Sequence, residues 1–261
     1  MEIRNFKELR STSDELRQMV DRGEVTDPLT AIRADFQTRG RGQVGNGWES
    51  EPGSNLLISV YVRPREVSVD RQFIISMAVS LAVVDTVRGV LPRRLWPALK
   101  IKWPNDIYVG ERKLSGILIE NRLCGRAISD SIIGVGLNVN QLAFHSDAPN
   151  PVSIRQLTGR AEGIGAMARS LVTSISAWMT LVDSAEDAIV MRDYWAALFR
   201  ADGMCHDFAD GNGRFTARID SVAPDGRLSL ALPGGETRSY LFKEVEHVIL
   251  LKDGSEVTPN L

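Results

Sequence analysis

The run KIKWPNDIYVGERKLSGILIENR occupies residues 100–122, and the rest of the chain is read outward from it. Apolar and β-branched residues fill 100–108 and 113–121, and Pro104-Asn105 and Gly110 interrupt them, so these are sheet strands joined by tight turns. A third such stretch, 127–140, follows a turn at Gly125. Upstream the period changes. From 70 to 89 the residues Phe73, Ile74, Met77, Ala78, Leu81, Val84 and Val87 recur at three and four, one wide helical stripe closed by Gly89 and Pro92. Strands at 31–36 and 56–62 precede it, and a capping box at Thr12-Ser13-Asp14-Glu15 opens a short first helix that stops at Gly23. Downstream, helical patterns at about 162–182 and 186–200 end at Asp202-Gly203. The period then becomes two over 215–222, 228–232, 237–242 and 245–250, with hairpin turns at Asp225-Gly226 and Pro233-Gly234-Gly235. The spacing predicts an α/β chain divided at about residue 203, with strands and helices in 1–202 and a small β domain in 203–261.

Composition narrows the function classes. Of 261 residues, 43% are hydrophobic and 25% charged, the balance of a folded chain rather than a disordered one. A net charge of −2 and a pI of about 6.0 supply no basic field for DNA or RNA. Cys124 and Cys205 are too few for a disulfide framework and lack zinc-ligand spacing, while His145, His206 and His247 share no motif. The first ten residues carry charges and no apolar core, unlike a signal peptide. The most apolar stretch, 73–84, is broken by Ser76 and Ser80 and is shorter than the roughly 18 to 20 residues that span a bilayer. The expectation is a cytoplasmic protein with no nucleic-acid partner and no membrane contact.

The motifs carry alternatives. Gly40-Arg41-Gly42-Gln43-Val44-Gly45 matches G-x-G-x-x-G, yet residues 46–53, with Pro52 and Gly53, do not open the helix whose N-terminus takes a pyrophosphate. A nicotinamide-dependent oxidoreductase would rest on that accidental match alone. Alternate glycines let the backbone approach an anion, and Arg39 and Arg41 add planar donors for carboxylate or phosphate, although a ligand-free loop has the same composition. Trp48 either stacks on a heterocycle or folds back to seal the core. Lys102, Asn105 and Asp106 surround a proline at a strand end, as ligand contacts or as a β-turn satisfying its own amides. Lys113 opens an apolar run, where it snorkels or reaches a ligand. Gly134-Val135-Gly136-Leu137-Asn138 ends another strand, its Asn138 amide either reading a base edge or completing a bulge.

In order, Ser11-Thr12, then Gln37-x-x-Gly40-Arg41-Gly42 with Trp48, then Lys102-Trp103-Pro104-Asn105-Asp106 with Arg112-Lys113-Leu114-x-Gly116-Ile117, then Gly134-x-Gly136-x-Asn138, the chain resembles the biotin protein ligases. The likeness runs from about residue 9 into the C-terminal β region, and K-W-P-N-D followed by R-K-L-x-G-I is its most specific part. It implies a mixed-sheet catalytic domain of the class II synthetase-like biotin/lipoyl ligase type, with helices on one side, and then an SH3-like β-barrel. It implies ATP, Mg²⁺ and biotin, a biotinyl-5′-adenylate intermediate, and transfer to a lysine of a biotin carboxyl carrier domain of acetyl-CoA carboxylase or a related enzyme. Monomer and homodimer are both compatible with it.

Carried over by position, Ser11, the Thr12 backbone and Gln37 bind the ureido ring. Gly40, Arg41, Gly42 and Gln43 belong to the loop that closes over the valeryl carboxylate, and Gly116 and Gly134 also line biotin. Lys113 bridges that carboxylate to the α-phosphate, which makes Lys113 and Arg41 the catalytic pair that relieves repulsion between two anions. Trp48, Asn46 and Asn138 fall on the ATP side. Lys102, Asn105 and Asp106 organise the phosphates or their Mg²⁺, the ion being held mainly by phosphate with Asp106 the one protein candidate.

Three positions depart from the family pattern: Gln43 and Asn46 replace loop arginines, and Ser13 stands where asparagine commonly follows Ser-Thr. The lower loop charge predicts a leakier adenylate. A monofunctional ligase is expected rather than a biotin sensor on DNA, because Ser11-Thr12 lies a few residues from Met1 and a winged helix-turn-helix needs about 50 to 60 residues more. Lipoate or octanoate ligation on the same fold is the alternative activity.

Overall fold

The computed structural model describes residues 2–42, 47–145 and 150–249. Its larger sheet contains β1 (Ile3–Leu9), β2 (Ala31–Gln37), β3 (Leu56–Val62), β4 (Leu99–Lys102), β5 (Asp106–Val109), β6 (Arg112–Cys124) and β7 (Ala127–Leu137), in the order β1-β2-β3-β7-β6-β5-β4. The β1–β2 pair is parallel and the other neighbours are antiparallel, so the sheet is mixed as expected. Every residue of β3 is buried, which requires cover on both faces. Alternation assigns that cover. Leu56, Ile58, Val60 and Val62 point into the main core with Ile133, Val135 and Leu137, whereas Tyr61 and Ile132 point the other way.

Helix α1 (Thr12–Asp21) covers this second face, packing Leu16 and Met19 on Ile32, Tyr61 and Ile132. The expectation of helices on one side is therefore corrected: the odd-numbered side of β3, with Leu57, Ser59 and Tyr61, is buried too and needs its own layer. Helices α2 (Phe73–Arg88), α3 (Ile154–Thr158), α4 (Ile164–Asp183) and α5 (Asp187–Ala197) follow, with α2, α4 and α5 contributing to the main core. Residues 74–84 of α2 are all buried, the apolar helix anticipated from its stripe. Ser11, not Thr12, caps α1: its backbone is extended and its Oγ accepts from the Asp14 amide at 3.3 Å. That one-residue offset turns Thr12 and Ser13 toward the sheet. Two elements carry no strong sequence signal. β1 is a charged edge strand paired only with β2, and α3 is one short helix with a Ser153/Gln156 capping box.

A second, antiparallel sheet contains β8 (His206–Asp210), β9 (Gly213–Val222), β10 (Leu228–Ala231), β11 (Thr237–Tyr240) and β12 (Val245–His247), ordered β11-β10-β9-β8-β12. It fits an SH3-like domain. Its Ile219, Leu228 and Val245 belong to the same buried cluster as α2 and β6. Trp103 joins the sheets: its Nε1 donates to the Gly226 carbonyl at 3.0 Å and its ring lies 6.1 Å from Phe242. Gly226 has φ +94°, and a Cβ there would stand 2.8 Å from Phe73, so the turn requires glycine on both counts. No helix among the described residues is long and apolar enough to cross a membrane.

Candidate active site

The N-terminus of α1 meets β3 through a row of hydroxyls. Ser11, Thr12, Ser13 and Ser59 are all buried, so each polar atom needs a partner. Gln37 Oε1 accepts from the Thr12 amide at 2.7 Å and from Thr12 Oγ1 at 3.0 Å. Ser59 Oγ donates to Thr12 Oγ1 at 2.8 Å and lies 3.0 Å from Ser13 Oγ. Gly134 makes room, since a Cβ there would stand 2.6 Å from Ser13 Oγ. Ser11, Thr12, Gln37 and Gly134 are thus brought together. Ser59 is a member that motif reading omits; its signal is the one serine within the apolar strand LLISVYV, 56–62.

The glycine loop leaves and returns at one point. Trp48 N donates to the Gly40 carbonyl at 3.1 Å, and Arg41 and Gly47 form an antiparallel bridge. A Cβ on Gly40 would stand 2.8 Å from the Trp48 carbonyl oxygen and 3.2 Å from Gln37 Nε2. Gly42 is half-buried at the loop base, while Gln43 and Asn46 lie outside the described residues. The Trp48 indole lies on bare backbone: Cβ atoms on Gly116 and Gly136 would stand 2.8 Å and 2.4 Å from it. Trp48 Nε1 and Asn138 Oδ1 are buried without a hydrogen-bond partner among the described residues. Unpaired buried polar atoms are rare enough to mark a ligand or water position. Asn138 uses only its Nδ2, donating to the Val152 carbonyl at 3.2 Å.

One cation flanks this face. Lys113 Nζ lies 2.6 Å from Asp106 Oδ2 and 6.0 Å from the Trp48 ring centre. The β5–β6 hairpin positions the pair, each side chain about a quarter exposed, at 24% and 25%. Arg41 is held elsewhere, 2.6 Å from Asp14 Oδ1 and 3.1 Å from Glu120 Oε1. There it lines a cleft of about 520 Å³ with Ser11 and Arg17. Glu120 stands seven residues beyond Lys113 on β6, roughly 20 Å along the strand, so Arg41 and Lys113 are not neighbours here.

Lys102 turns toward the second sheet, with Nζ 5.8 Å from the Tyr108 ring centre. Burial pushes its ammonium below the ordinary lysine value, opposed by the Asp106 carboxylate. Burial likewise pushes the Tyr108 hydroxyl well up. Asn105 is buried and its Nδ2 donates to the Ile117 carbonyl at 3.3 Å, which braces the turn against β6. Among the described residues no group of three or more His, Cys, Asp or Glu side chains converges. Asp106 is the carboxylate beside Lys113, a donor set that suits Mg²⁺ held chiefly by phosphate and water.

Comparison with known proteins finds relatives of the chain. Residues 7–138 match the model of the Biotin/lipoate A/B protein ligase family. The chain is 34% identical over 239 residues to the biotin--[acetyl-CoA-carboxylase] ligase of Mycobacterium tuberculosis, covering 91% of this chain and 86% of that one. It is 33% identical over 124 residues to the bifunctional ligase/repressor BirA of Escherichia coli, 46% of this chain and 36% of the other. Among solved structures, the biotin protein ligase from Aquifex aeolicus in complex with biotin and ATP superposes with a TM-score of 0.76 at 22% identity, covering 94% and 99% of the two chains.

Proposed function

The chain belongs to the biotin/lipoate A/B protein ligase family, and from that premise we propose that it activates biotin with ATP and transfers the biotinyl group to a lysine of a biotin carboxyl carrier domain. The observation that carries this reading is the placement of Gly134 under Ser13 and Gly136 under Trp48. The two glycines lie on one face of β7, roughly 7 Å apart, about the reach of a valeryl chain between a ureido end and a nucleotide end.

In the first step a biotin carboxylate oxygen attacks the α-phosphorus. A P–O bond forms, the bond to the β-phosphate oxygen breaks, and pyrophosphate leaves. Lys113 stands beside the carboxylate-to-phosphate junction, where its charge stabilises what develops in the transition state. Trp48 and Asn138 hold the adenine, the indole face by stacking and the unpaired Asn138 Oδ1 by accepting a hydrogen bond. Mg²⁺ on the phosphates would supply charge neutralisation, with Asp106 the residue to hold it. Arg41 serves the carboxylate by exchanging Asp14 and Glu120 for it. In the second step the neutral amine of the carrier lysine attacks the acyl carbon, a C–N bond forms, the anhydride C–O bond breaks, AMP leaves with the electron pair, and the proton lost from the nitrogen passes to water. We assign this chemistry to residues 1–202 and take the SH3-like unit to begin at about residue 203. The two cysteines are exposed and unpaired, in keeping with a reducing cytoplasm.

The test is incubation with biotin, MgATP and a carrier domain, followed by intact-mass measurement of the carrier. An ATP-dependent gain of one biotinyl group is expected. Lipoate or octanoate ligation is the less favoured reading, because the matched full-length relative is named for biotin. Pyrophosphate exchange driven by lipoate and not by biotin would reverse that preference.

A further inference from the structure

We infer that Asn55 and Gln141 are positioning residues for the nucleotide end of the site: their two buried side-chain amides tie the segment that carries Trp48 to the segment that carries Asn138. The inference rests on the reading of Trp48 and Asn138 as adenine contacts and names what holds that pair in register.

Asn55 stands immediately before β3, and Gln141 follows the end of β7 by four residues. Their exposures are 1% and 0%. Burying two carboxamides is costly unless their polar atoms are bonded, and here each nitrogen and each oxygen is. Asn55 Oδ1 accepts from the Val139 amide at 2.9 Å, and its Nδ2 donates to Ser50 Oγ at 3.2 Å and to Gln141 Oε1 at 2.6 Å. Gln141 Oε1 also accepts from the Glu51 amide at 3.0 Å. Its Nε2 donates to Glu49 Oε1 at 3.2 Å and to the Ala143 carbonyl at 2.8 Å.

These partners admit one orientation of each amide. A backbone N–H only donates, so Val139 fixes the oxygen of Asn55 and Glu51 fixes that of Gln141. Turning Gln141 over would set its NH₂ against the Glu51 N–H and the Asn55 NH₂, and its oxygen against a carboxylate and a carbonyl. Such a fully satisfied buried network is rigid. Its place in the chain gives it a role. Glu49, Ser50 and Glu51 directly follow Trp48, and Val139 directly follows Asn138. The Asn140 amide, donating to the Ser54 carbonyl at 2.8 Å, adds a backbone tie between the same two segments. Stacking on the indole and a hydrogen bond to Asn138 Oδ1 must be met by one base at once, so their separation has to be set before the ligand arrives. The Thr12, Gln37 and Ser59 group shares no hydrogen bond with Asn55 or Gln141 among the described residues, so the link serves the nucleotide end alone.

The experiment is pyrophosphate exchange in the full chain, with ATP and biotin varied in turn. Gln141→Glu sets a carboxylate against Glu49 and the Ala143 carbonyl, and Asn55→Asp sets one against Gln141 Oε1. Each should raise KM for ATP about tenfold, with KM for biotin and kcat changing less than about threefold. The two are read independently, so failure of one to fold leaves the other. Adding Glu49→Gln to Gln141→Glu re-forms a donor–acceptor pair across the 3.2 Å contact and should lower the raised KM for ATP at least threefold. Tyr240→Phe, which removes the hydrogen bond to Asp210 in the second sheet, should leave both KM values within about twofold. An unchanged KM for ATP in a folded single variant, equal rises in both KM values, no recovery in the double variant, or the same split in Tyr240→Phe overturns the inference and leaves biotin activation standing. No biotin-dependent exchange in the unsubstituted protein overturns the activation reading and the inference with it.

Discussion

Gly136 carries the indole of Trp48 so closely that a Cβ on the glycine would stand 2.4 Å from Trp48 Cε2. Together with Gly116 it forms a strip of the sheet from which side chains are missing, and the aromatic ring fills that strip. These glycines are required for space rather than for flexibility.

Gly136→Ala is therefore expected to lift the indole off the sheet and to weaken the nucleotide end selectively. Overpacking of this kind costs about 1–3 kcal/mol, so KM for ATP should rise about tenfold or more while KM for biotin changes less than about threefold. Pyrophosphate exchange with each substrate varied in turn checks the split; equal changes in both would count against Trp48 as a nucleotide residue.

Lys113→Ala removes the cation beside Asp106. Adenylate formation is expected to fall about 10²- to 10³-fold, equivalent to roughly 3–4 kcal/mol of transition-state stabilisation, with the fold intact. Single-turnover measurement of adenylate, with circular dichroism as the control, checks it. Near-normal activity would exclude a catalytic role for this lysine.

Trp103→Phe deletes one donor at the junction of the two sheets and leaves the buried Gly226 carbonyl without it. The expected loss is about 1–3 kcal/mol of unfolding free energy, read by urea denaturation. Gly226→Ala should cost more, because it combines φ +94° with a 2.8 Å clash against Phe73.

The His247 ring lies between Phe199 and Phe208, with both nitrogens buried and unpaired among the described residues. Burial, with nearby Lys102, Arg200 and His206, pushes its pKa well below the ordinary histidine value. The unfolded chain then binds the extra proton below about pH 6.5, so this site's stability contribution is complete above that pH and is lost as pH falls toward the folded value. His247→Leu should flatten the stability profile on the acid side, between about pH 7 and 5. Parallel profiles for the two proteins in chemical denaturation would show that His247 does not govern it.

The periodicities at 73–87 and 56–62 and the turn residues around 104–110 were enough to establish the elements, because local spacing and backbone restriction act within a few residues. The ordered motifs were likewise enough to indicate the ligase family. Neither α1's position on the far face of the sheet nor the partners of Arg41, Trp48 and Ser59 could be read in this way. Arg41 reaches Asp14 and Glu120 across 27 and 79 residues, and Ser59 meets Thr12 across 47. Pairing at such separations depends on which strands become neighbours and which way their pleats point. That is decided only when both sides of β3 are buried at once, a condition on the whole sheet.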